Sequence, residues 1–236
     1  GETLGIVGES GCGKSTLARA VLRLVPASAG AVSWIGKDLL KLPAGKMRAQ
    51  REDLQIVFQD PLASLNPRMT IGASIAEPML VYRKALNAKE REAEVRAMME
   101  RVGLDANMIN RYPHELSGGQ NQRVGIARAM ILRPKLVICD EAVSALDVSI
   151  QAQIIELLMQ LQSEFGLSML FISHDLSVVR EVSHRVMVLY LGRVVELASR
   201  EAIYDDARHP YTRALISAVP VPDPAVEKTR KRLKLG

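Results

Sequence analysis

The sequence is short of three features, and each shortage narrows the range of possible functions. Only 2 of its 236 residues are cysteine, Cys12 and Cys139, which excludes a disulfide framework and a zinc-ligand spacing. Aromatic residues make up 4% of the chain, so few rings are available to stack on nucleic-acid bases. No apolar run, residues 186–191 included, approaches the ~18 residues that suggest a membrane span. We therefore expect a protein of a reducing cytosol, whose membrane-spanning parts, if any, belong to other chains.

The positive charge of the chain is concentrated at its end. The net charge is +5, from 31 Lys and Arg against 26 Asp and Glu. In residues 227–236, five basic residues stand against one acidic residue, which leaves the other 226 residues at about +1. Such a tail is typical of a solvated chain end, so we predict no nucleic-acid partner. The chain begins at Gly1 without Met, and we expect it to be a piece of a longer protein, truncated at both ends.

Short apolar runs alternate with helical patterns in two parts of the chain. Helices are predicted over residues 14–24, 149–165 and 175–182. Strands are predicted over residues 3–7, 31–35, 54–58, 136–139, 168–172, 185–191 and 193–197. This alternation predicts an α/β fold with a mainly parallel sheet and ligands at the carboxyl ends of its strands.

Between Pro61 and Pro134 helical periodicity replaces the strand pattern. Four apolar residues there fall on one helix face, namely Val95, Met98, Met99 and Val102. Six of the ten methionines lie in residues 69–130. They either fill a core or form an adaptable docking surface, because methionine packs against irregular shapes. We interpret this stretch as a helical subdomain inserted into the α/β fold.

A glycine-rich segment, GESGCGKST, follows the first strand and opens the first helix. We call it the phosphate loop, and it matches the pattern G-x-x-x-x-G-K-[ST] completely. Its glycines let several N–H groups face one anion, and the helix N-terminus adds partial positive charge. Lys14 would reach the β- and γ-phosphates of a nucleotide, and Ser15 would ligate Mg²⁺. The predicted ATP-binding residues are Gly8, Glu9, Ser10, Gly11, Cys12, Gly13, Lys14, Ser15 and Thr16.

Polar residues follow three further strands. Asp140 and Glu141 end the strand LVICDE, where Asp140 suits Mg²⁺ and Glu141 is placed to polarise an attacking water. Without the phosphate loop upstream, such a pair would equally indicate a surface turn. Gln59 is either a loop residue or a contact to Mg²⁺ or the water. His174 is either packed or solvated, or it bonds the γ-phosphate.

The segment LSGGQ at residues 116–120 opens a second glycine-rich helix. We call residues 117–120 the signature segment. By itself it predicts an ordinary capped helix start, with Ser117 as the N-cap. Its bare N–H groups and hydroxyl also suit an anion. Because it lies in the helical stretch, it need not face the phosphate loop of its own chain.

Taken in order, these segments resemble the ATP-binding-cassette (ABC) ATPases: GESGCGKST, Gln59, LSGGQ, VICDE, SALD at residues 144–147 and His174. The resemblance implies a RecA-like P-loop NTPase core, mainly parallel with flanking antiparallel strands, and a second ABC ATPase subunit packed head to tail. It implies that Glu141 is the catalytic carboxylate, that His174 is the switch histidine, and that Gln59 joins Ser15 and Asp140 at the metal. Asp147 would lie at the dimer interface. The implied contacts to the partner's ATP are Ser117, Gly118, Gly119 and Gln120.

The segment HPYTRALISAVPVPDP at residues 209–224 resembles the C-terminal extension of dipeptide and oligopeptide importer ATPases, a group that includes nickel importers. We therefore divide the chain into a core of residues 1–60 and 135–198, a helical subdomain of residues 61–134 and an extension of residues 199–236. Three residues depart from the family pattern, namely Asn121, Ala142 and Val143. The resemblance implies that the aromatic residue that stacks on adenine lies upstream of the phosphate loop, and we expect it before Gly1.

The resemblance implies an ATP-hydrolysing subunit that powers peptide import with ATP and Mg²⁺ at the cytoplasmic face of a membrane. Its implied partners are transmembrane permeases and an extracytoplasmic substrate-binding protein. Two alternatives stay open. One is a soluble cassette ATPase that acts on nucleic acid or ribosomes. The other is a non-catalytic nucleotide-binding partner, against which the complete set of site residues argues.

Overall fold

The computed structural model describes residues 1–218. Within this range it contains eight strands: β1 (Thr3–Val7), β2 (Ser33–Trp34), β3 (Lys37–Asp38), β4 (Leu54–Val57), β5 (Leu136–Asp140), β6 (Ser168–Ile172), β7 (Arg185–Tyr190) and β8 (Arg193–Ser199). It also contains ten α-helices: α1 (Lys14–Val21), α2 (Ala44–Gln50), α3 (Pro61–Ser64), α4 (Ile71–Tyr82), α5 (Ala88–Arg101), α6 (Gly118–Met130), α7 (Val148–Phe165), α8 (Leu176–Val182), α9 (Arg200–Asp205) and α10 (Pro210–Ser217).

Six strands form one sheet in the order β4-β5-β6-β1-β7-β8. All neighbours in it are parallel except β7 and β8, which form an antiparallel hairpin at one edge. The predicted α/β fold with a mainly parallel sheet is therefore confirmed. The carboxyl ends of β4, β5, β6 and β1 lie side by side, so the segments that follow these strands meet along one edge of the sheet.

One predicted strand differs from the structure. Residues 31–35 were expected to form a strand, but only Ser33–Trp34 is extended, and it pairs with Lys37–Asp38 in a separate two-stranded sheet. The reason is a tight turn at Ile35 and Gly36, whose φ angles of 45° and 74° are both positive. Two successive positive φ angles are the geometry of a type I′ hairpin turn, which ends the strand early.

Apolar side chains lie on both faces of the large sheet. Successive residues of a strand point to opposite faces, so neighbouring residues enter different clusters. In β5, Val137 and Cys139 belong to one buried cluster, whereas Ile138 belongs to the cluster on the opposite face. Cys139 is fully buried, and this burial raises the pKa of its thiol to about 12. The thiol therefore acts as a small core side chain that stays protonated at neutral pH.

The helical stretch shares its core with one face of the sheet. The predicted helix face is buried throughout, because Val95, Met98, Met99 and Val102 are each at most 3% exposed and belong to the same cluster as Val137. Four of the six methionines in this stretch fill this core, namely Met79, Met98, Met99 and Met130. The interpretation of these four residues as core filling is thus supported.

Two further helices follow β8. Ser199 caps α9 and His209 caps α10, each through a side-chain atom that accepts a hydrogen bond from a backbone amide. Residues 219–236, which include the basic tail and part of the predicted extension, lie outside the described range. Within residues 1–218, no helix is both long and apolar enough to span a membrane. The subdomain boundaries proposed above stay predictions.

Candidate functional site

The phosphate loop curls back at the end of β1 through three glycines with positive φ, namely Gly8 at 152°, Gly11 at 80° and Gly13 at 102°. Other residues rarely adopt such angles. At Gly8 the backbone also passes close to β7, since a Cβ there would lie 2.2 Å from the Leu189 carbonyl oxygen. At Gly11 and Gly13 a Cβ would meet nothing within 4 Å. The phosphate loop is thus tightly packed at Gly8, whereas space is open beside Gly11 and Gly13.

Lys14 is the first residue of α1, and its side chain folds back into the loop. The residue is 4% exposed, and its ammonium donates hydrogen bonds to the carbonyl oxygens of Gly8 at 2.8 Å and Glu9 at 2.9 Å. These acceptors compensate the cost of removing the charge from water. The backbone of the phosphate loop therefore holds the ammonium of Lys14 beside the predicted anion site.

The N-terminus of α1 is prepared for an anion. Its N-cap is Gly13, and within residues 1–218 no side chain accepts a hydrogen bond from a backbone amide of the first turn. The first amides of a helix have no partner within the helix, and they carry partial positive charge. Together with the ammonium of Lys14, these amides form a site that suits phosphate groups.

Two of the three predicted metal ligands, Ser15 and Asp140, are in direct contact, whereas the side-chain amide of the third, Gln59, bonds Glu141. The Ser15 hydroxyl donates to Asp140 Oδ1 at 2.6 Å, and Asp140 itself is 1% exposed at the end of β5. Arg19 lies 3.7 Å from the other carboxylate oxygen. Within residues 1–218, no group of three or more His, Cys, Asp and Glu residues is arranged to hold a metal. This pair of oxygen ligands suits Mg²⁺, which takes few protein ligands and completes its shell with phosphate and water.

Glu141 adopts an unusual backbone conformation. Its φ angle is 50°, which is rare for a residue with a side chain. Hydrogen bonds hold it there: its amide donates to the Ile172 carbonyl at 3.0 Å, and its own carbonyl accepts from the amide and hydroxyl of Ser144 at 3.1 and 2.9 Å. Strain of this kind persists only where the surroundings enforce it, and it is concentrated at functional sites. Ser144 was identified only as part of the SALD motif, and this support was not predicted.

The carboxylate of Glu141 lies next to the two other predicted catalytic residues, Gln59 and His174. Gln59, after β4, donates its side-chain amide to Glu141 Oε2 at 3.1 Å. His174, after β6, places Nδ1 3.5 Å from the same oxygen. The side chain of Glu141 is 17% exposed and that of His174 is 58% exposed. Two residues that follow the neighbouring strands β4 and β6 thus flank the carboxylate of Glu141, which water can still reach.

The signature segment is a capped helix start. Ser117 Oγ accepts from the Gln120 amide at 3.3 Å, and Gln120 Oε1 accepts from the Ser117 amide at 2.9 Å. The glycine at 119 permits close packing on α7, because a Cβ there would lie 2.7 Å from Ile150 Cγ2. Within residues 1–218, no hydrogen bond joins the signature segment to the phosphate loop.

Asp147 is the N-cap of α7. Its carboxylate accepts from the Ile150 amide at 3.0 Å and from the Ser149 hydroxyl at 2.8 Å. These bonds lower the pKa of Asp147, the bond from Ile150 most. Because Ile150 also packs on Gly119, Asp147 sets the helix start against which the signature segment lies. Its position at a dimer interface stays a prediction.

The three departures from the family pattern are core residues. Ala142 and Val143 are 1% and 3% exposed in the cluster that includes Val137, so they pack beneath the strained turn. Asn121 is fully buried, and its amide nitrogen donates to the carbonyls of Pro113, Leu116 and Ser117 at 3.0, 3.3 and 3.2 Å. Sequence reasoning left Asn121 without a role, and the structure shows that it binds α6 to the turn before it.

Comparison with known proteins agrees with this geometry. The sequence profile described as "ABC transporter" matches residues 1–144. The profile described as "Oligopeptide/dipeptide transporter, C-terminal region" matches residues 195–234. The chain is 62% identical to the oligopeptide transport ATP-binding protein OppF of Salmonella typhimurium over 98% of this chain and 69% of that protein.

Two further relatives extend the comparison. The chain is 55% identical to a probable peptide ABC transporter ATP-binding protein, y4tS, of Sinorhizobium fredii, over 95% of this chain and 64% of that protein. Its fold resembles the ATP-binding cassette MJ0796, solved as a dimer in a post-hydrolysis state with ADP and Pi. The TM-score is 0.76 at 30% identity, over 84% of this chain and 85% of that one.

Proposed function

The chain belongs to the ABC transporter family of ATP-binding proteins, and from this premise we propose that it drives the uptake of oligopeptides by hydrolysing ATP. The observation that carries the catalytic part is the cluster of Gln59, His174 and Glu141 beside the Ser15–Asp140 pair. It provides a carboxylate that can accept a hydrogen bond from water, next to the phosphate site formed by Lys14 and the first amides of α1.

Each residue has a distinct part in the proposed reaction. The loop amides and Lys14 bind the β- and γ-phosphates of ATP, and they stabilise the charge that develops during phosphoryl transfer. Ser15 and Asp140, joined by Gln59, would hold Mg²⁺, which when bound neutralises charge on the phosphates. Glu141 accepts a hydrogen bond from the attacking water and orients it. Gln59 and His174 hold the Glu141 carboxylate in place, and His174 remains exposed enough to reach a γ-phosphate.

A second ABC ATPase subunit completes the site in this proposal. The signature segment is exposed at Ser117 and Gly118 and makes no hydrogen bond to its own phosphate loop within the described residues. We assign Ser117, Gly118, Gly119 and Gln120 to the γ-phosphate held by the partner, and Asp147 to the interface between the subunits. The relative MJ0796 was solved as a dimer, which supports this assembly.

The transported molecule is inferred from the relatives. Both curated relatives are named for peptide or oligopeptide transport, and the C-terminal profile is described by the same substrate class. We infer that the chain works at the cytoplasmic face of a membrane with two permeases and an extracytoplasmic binding protein, and that it does not act on nucleic acid.

The test is peptide uptake by the full-length protein reconstituted with its permeases and binding protein in proteoliposomes. Glu141→Gln keeps the shape of the side chain but removes its charge. We expect ATP hydrolysis and peptide uptake to fall together, by about 10²–10⁴-fold, while ATP binding is kept and a closed dimer accumulates.

The matched control is Glu156→Gln, at an exposed position of α7, which should leave both rates unchanged. Undiminished turnover in Glu141→Gln would exclude the proposed catalytic role. Hydrolysis stimulated by RNA or ribosomes, with no response to peptide-loaded binding protein, would favour the soluble cassette ATPase instead.

A further inference from the structure

The C-terminal helix α10 reaches the phosphate loop. Tyr211, in the HPYTR segment, is 2% exposed, and its hydroxyl accepts a hydrogen bond from the backbone amide of Glu9 at 3.0 Å. The two residues are 202 positions apart in the sequence. The ring of Tyr211 packs on Tyr190 with 4.2 Å between ring centroids. The hydroxyl is therefore held in place from two sides, by the loop and by β7.

The hydrogen bond to Tyr211 comes from the Gly8–Glu9 peptide group, which also binds the ammonium of Lys14. The N–H of Glu9 and the C=O of Gly8 belong to the same peptide group, and that carbonyl accepts from the Lys14 ammonium at 2.8 Å. A trans peptide is planar, and its N–H and C=O point in opposite directions. Fixing the N–H toward Tyr211 therefore fixes the C=O toward Lys14.

This peptide group needs an external constraint. Gly8 has a φ angle of 152° and carries no side chain, so its own conformational preference for one orientation is weak. The amide of Gly192, in the β7–β8 turn, donates to the Cys12 carbonyl at 3.1 Å on the other limb of the loop. The β7–β8 hairpin and α10 thus hold the loop at two points, Cys12 and Glu9.

The position of α10 is itself fixed on the sheet. The carboxylate of Glu196, in β8, accepts from the amides of Arg208 at 2.8 Å and His209 at 3.0 Å, directly before the helix begins. The side chain of His209 then accepts from the Tyr211 amide at 3.2 Å. A chain of contacts therefore runs from the edge of the sheet through α10 to the ammonium of Lys14.

We propose that Tyr211 is a positioning residue for ATP: through the Gly8–Glu9 peptide, the C-terminal extension holds Lys14 in the orientation that receives the phosphates. A preorganised loop binds ATP more tightly because less freedom is lost on binding. Coupling between two sites is reciprocal, so bound nucleotide must in turn stabilise the docking of α10. The inference rests on the proposed role of Lys14 in ATP binding.

The test is Tyr211→Phe in the full-length protein. The variant keeps the ring on Tyr190 and removes only the oxygen that accepts from Glu9. We expect the Kd for a slowly hydrolysed ATP analogue to rise about three- to tenfold, the range of one net hydrogen bond. The KM for ATP should rise by the same factor while kcat stays unchanged, a split that a general loss of stability does not produce.

Tyr204→Phe is the matched control. The hydroxyl of Tyr204, in α9, donates to the Leu176 carbonyl and does not contact the phosphate loop. Both variants lose one tyrosine hydrogen bond near the C-terminal end of the described chain, but only Tyr211→Phe should weaken nucleotide binding. Equal analogue affinity in the two variants would overturn the inference.

Hydrogen exchange of the wild-type protein provides a second, independent measurement. Adding the ATP analogue should slow amide exchange in α10, and Tyr211→Phe should lose most of this protection. If Tyr211→Phe does not fold, the wild-type experiment decides alone, and unchanged exchange in α10 overturns the inference. A wild-type protein that binds no nucleotide at all would instead overturn the proposed function, and this inference with it.

Discussion

Two glycine-rich helix starts in this protein have similar sequences but different surroundings. At α1 the cap is Gly13, and within residues 1–218 no side chain accepts a hydrogen bond from a backbone amide of the first turn. At α6 the cap is Ser117, and a capping box with Gln120 already engages two amides. The first start leaves its amides to a ligand, whereas the second satisfies part of its own. A glycine-rich helix start is thus a strong anion site only when the protein leaves it uncapped.

The two starts also differ in what lies around them. The phosphate loop is tied to β7 at Gly8, to α10 at Glu9 and to β5 at Ser15. The signature segment packs against side chains, since a Cβ would lie 2.7 Å from Ile150 at Gly119 and 3.7 Å from Leu146 at Gly118. The loop therefore has a cation, a carboxylate and a rigid frame within one chain. The signature segment makes no hydrogen bond to a basic or acidic side chain within residues 1–218, and in the proposed dimer a partner molecule completes the site.

Glycine-to-alanine substitution should give the largest difference in stability between the phosphate loop and the signature segment. Gly8→Ala places a Cβ 2.2 Å from the Leu189 carbonyl at a φ of 152°, and both the backbone and the loop must move. We expect a loss of about 3 kcal/mol in the free energy of unfolding, together with loss of ATP binding. Chemical denaturation and a nucleotide titration measure the two effects.

Two substitutions in the signature segment serve as the matched controls. In Gly119→Ala the Cβ would lie 2.7 Å from Ile150 Cγ2, a side-chain methyl rather than backbone, so the loss should be about 1–2 kcal/mol, smaller than at Gly8. In Gly118→Ala the nearest atom is Leu146 Cδ2 at 3.7 Å, an ordinary contact, and stability should be unchanged or slightly raised. Equal losses at Gly8 and Gly119 would contradict the contrast drawn above.

Ser117→Arg separates the signature segment from the phosphate loop. The substitution places a bulky cation where the partner's nucleotide would lie, and it removes the helix cap. We expect ATP hydrolysis to fall by about tenfold or more, ~1.4 kcal/mol in the barrier, while the affinity of the chain's own loop for ATP is kept. Turnover at saturating ATP and equilibrium titration with the monomer measure these effects.

Ser117→Thr is the control for this variant, because threonine also caps helices and keeps a hydroxyl. It should retain turnover close to that of the wild type. Normal hydrolysis by Ser117→Arg would show that the signature segment does not contact a partner's nucleotide.

The smallest effect is expected for Asn121→Ala, which removes the donor that joins α6 to the carbonyls of Pro113, Leu116 and Ser117. Pro113 and Ser117 each keep a second donor, the amides of Leu116 and Asn121, so the free energy of unfolding should fall by only ~1 kcal/mol. Denaturant titration measures the change. Asn107→Ala, at an exposed position, is the control and should stay within about 0.5 kcal/mol of the wild type. A wild-type stability for Asn121→Ala would mean that the three bonds contribute nothing net.

Most of the fold was predictable because its signals are local. The strand Thr3–Val7 and the helix around Lys14 follow from an apolar run, a glycine pattern and a helix start within a few residues. The early end of the strand at Trp34 was not predicted, because it depends on a turn at Ile35, where a β-branched residue rarely has positive φ. The role of Asn121 was missed although its carbonyl partners lie only 8, 5 and 4 residues earlier in the chain, because no sequence pattern shows that the turn before α6 directs three carbonyls toward one side-chain amide.

The sequence by itself determined the family, the α/β alternation and the identity of the residues at the strand ends, because spacing and motif order are properties of the chain alone. Only the tertiary structure decided which of those residues meet. Gln59, Glu141 and His174 converge because β4, β5 and β6 are neighbours in the sheet. Tyr211 reaches Glu9 because α10 folds back across the edge of that sheet. Contacts over such separations depend on the packing of the whole domain, and no local pattern encodes them.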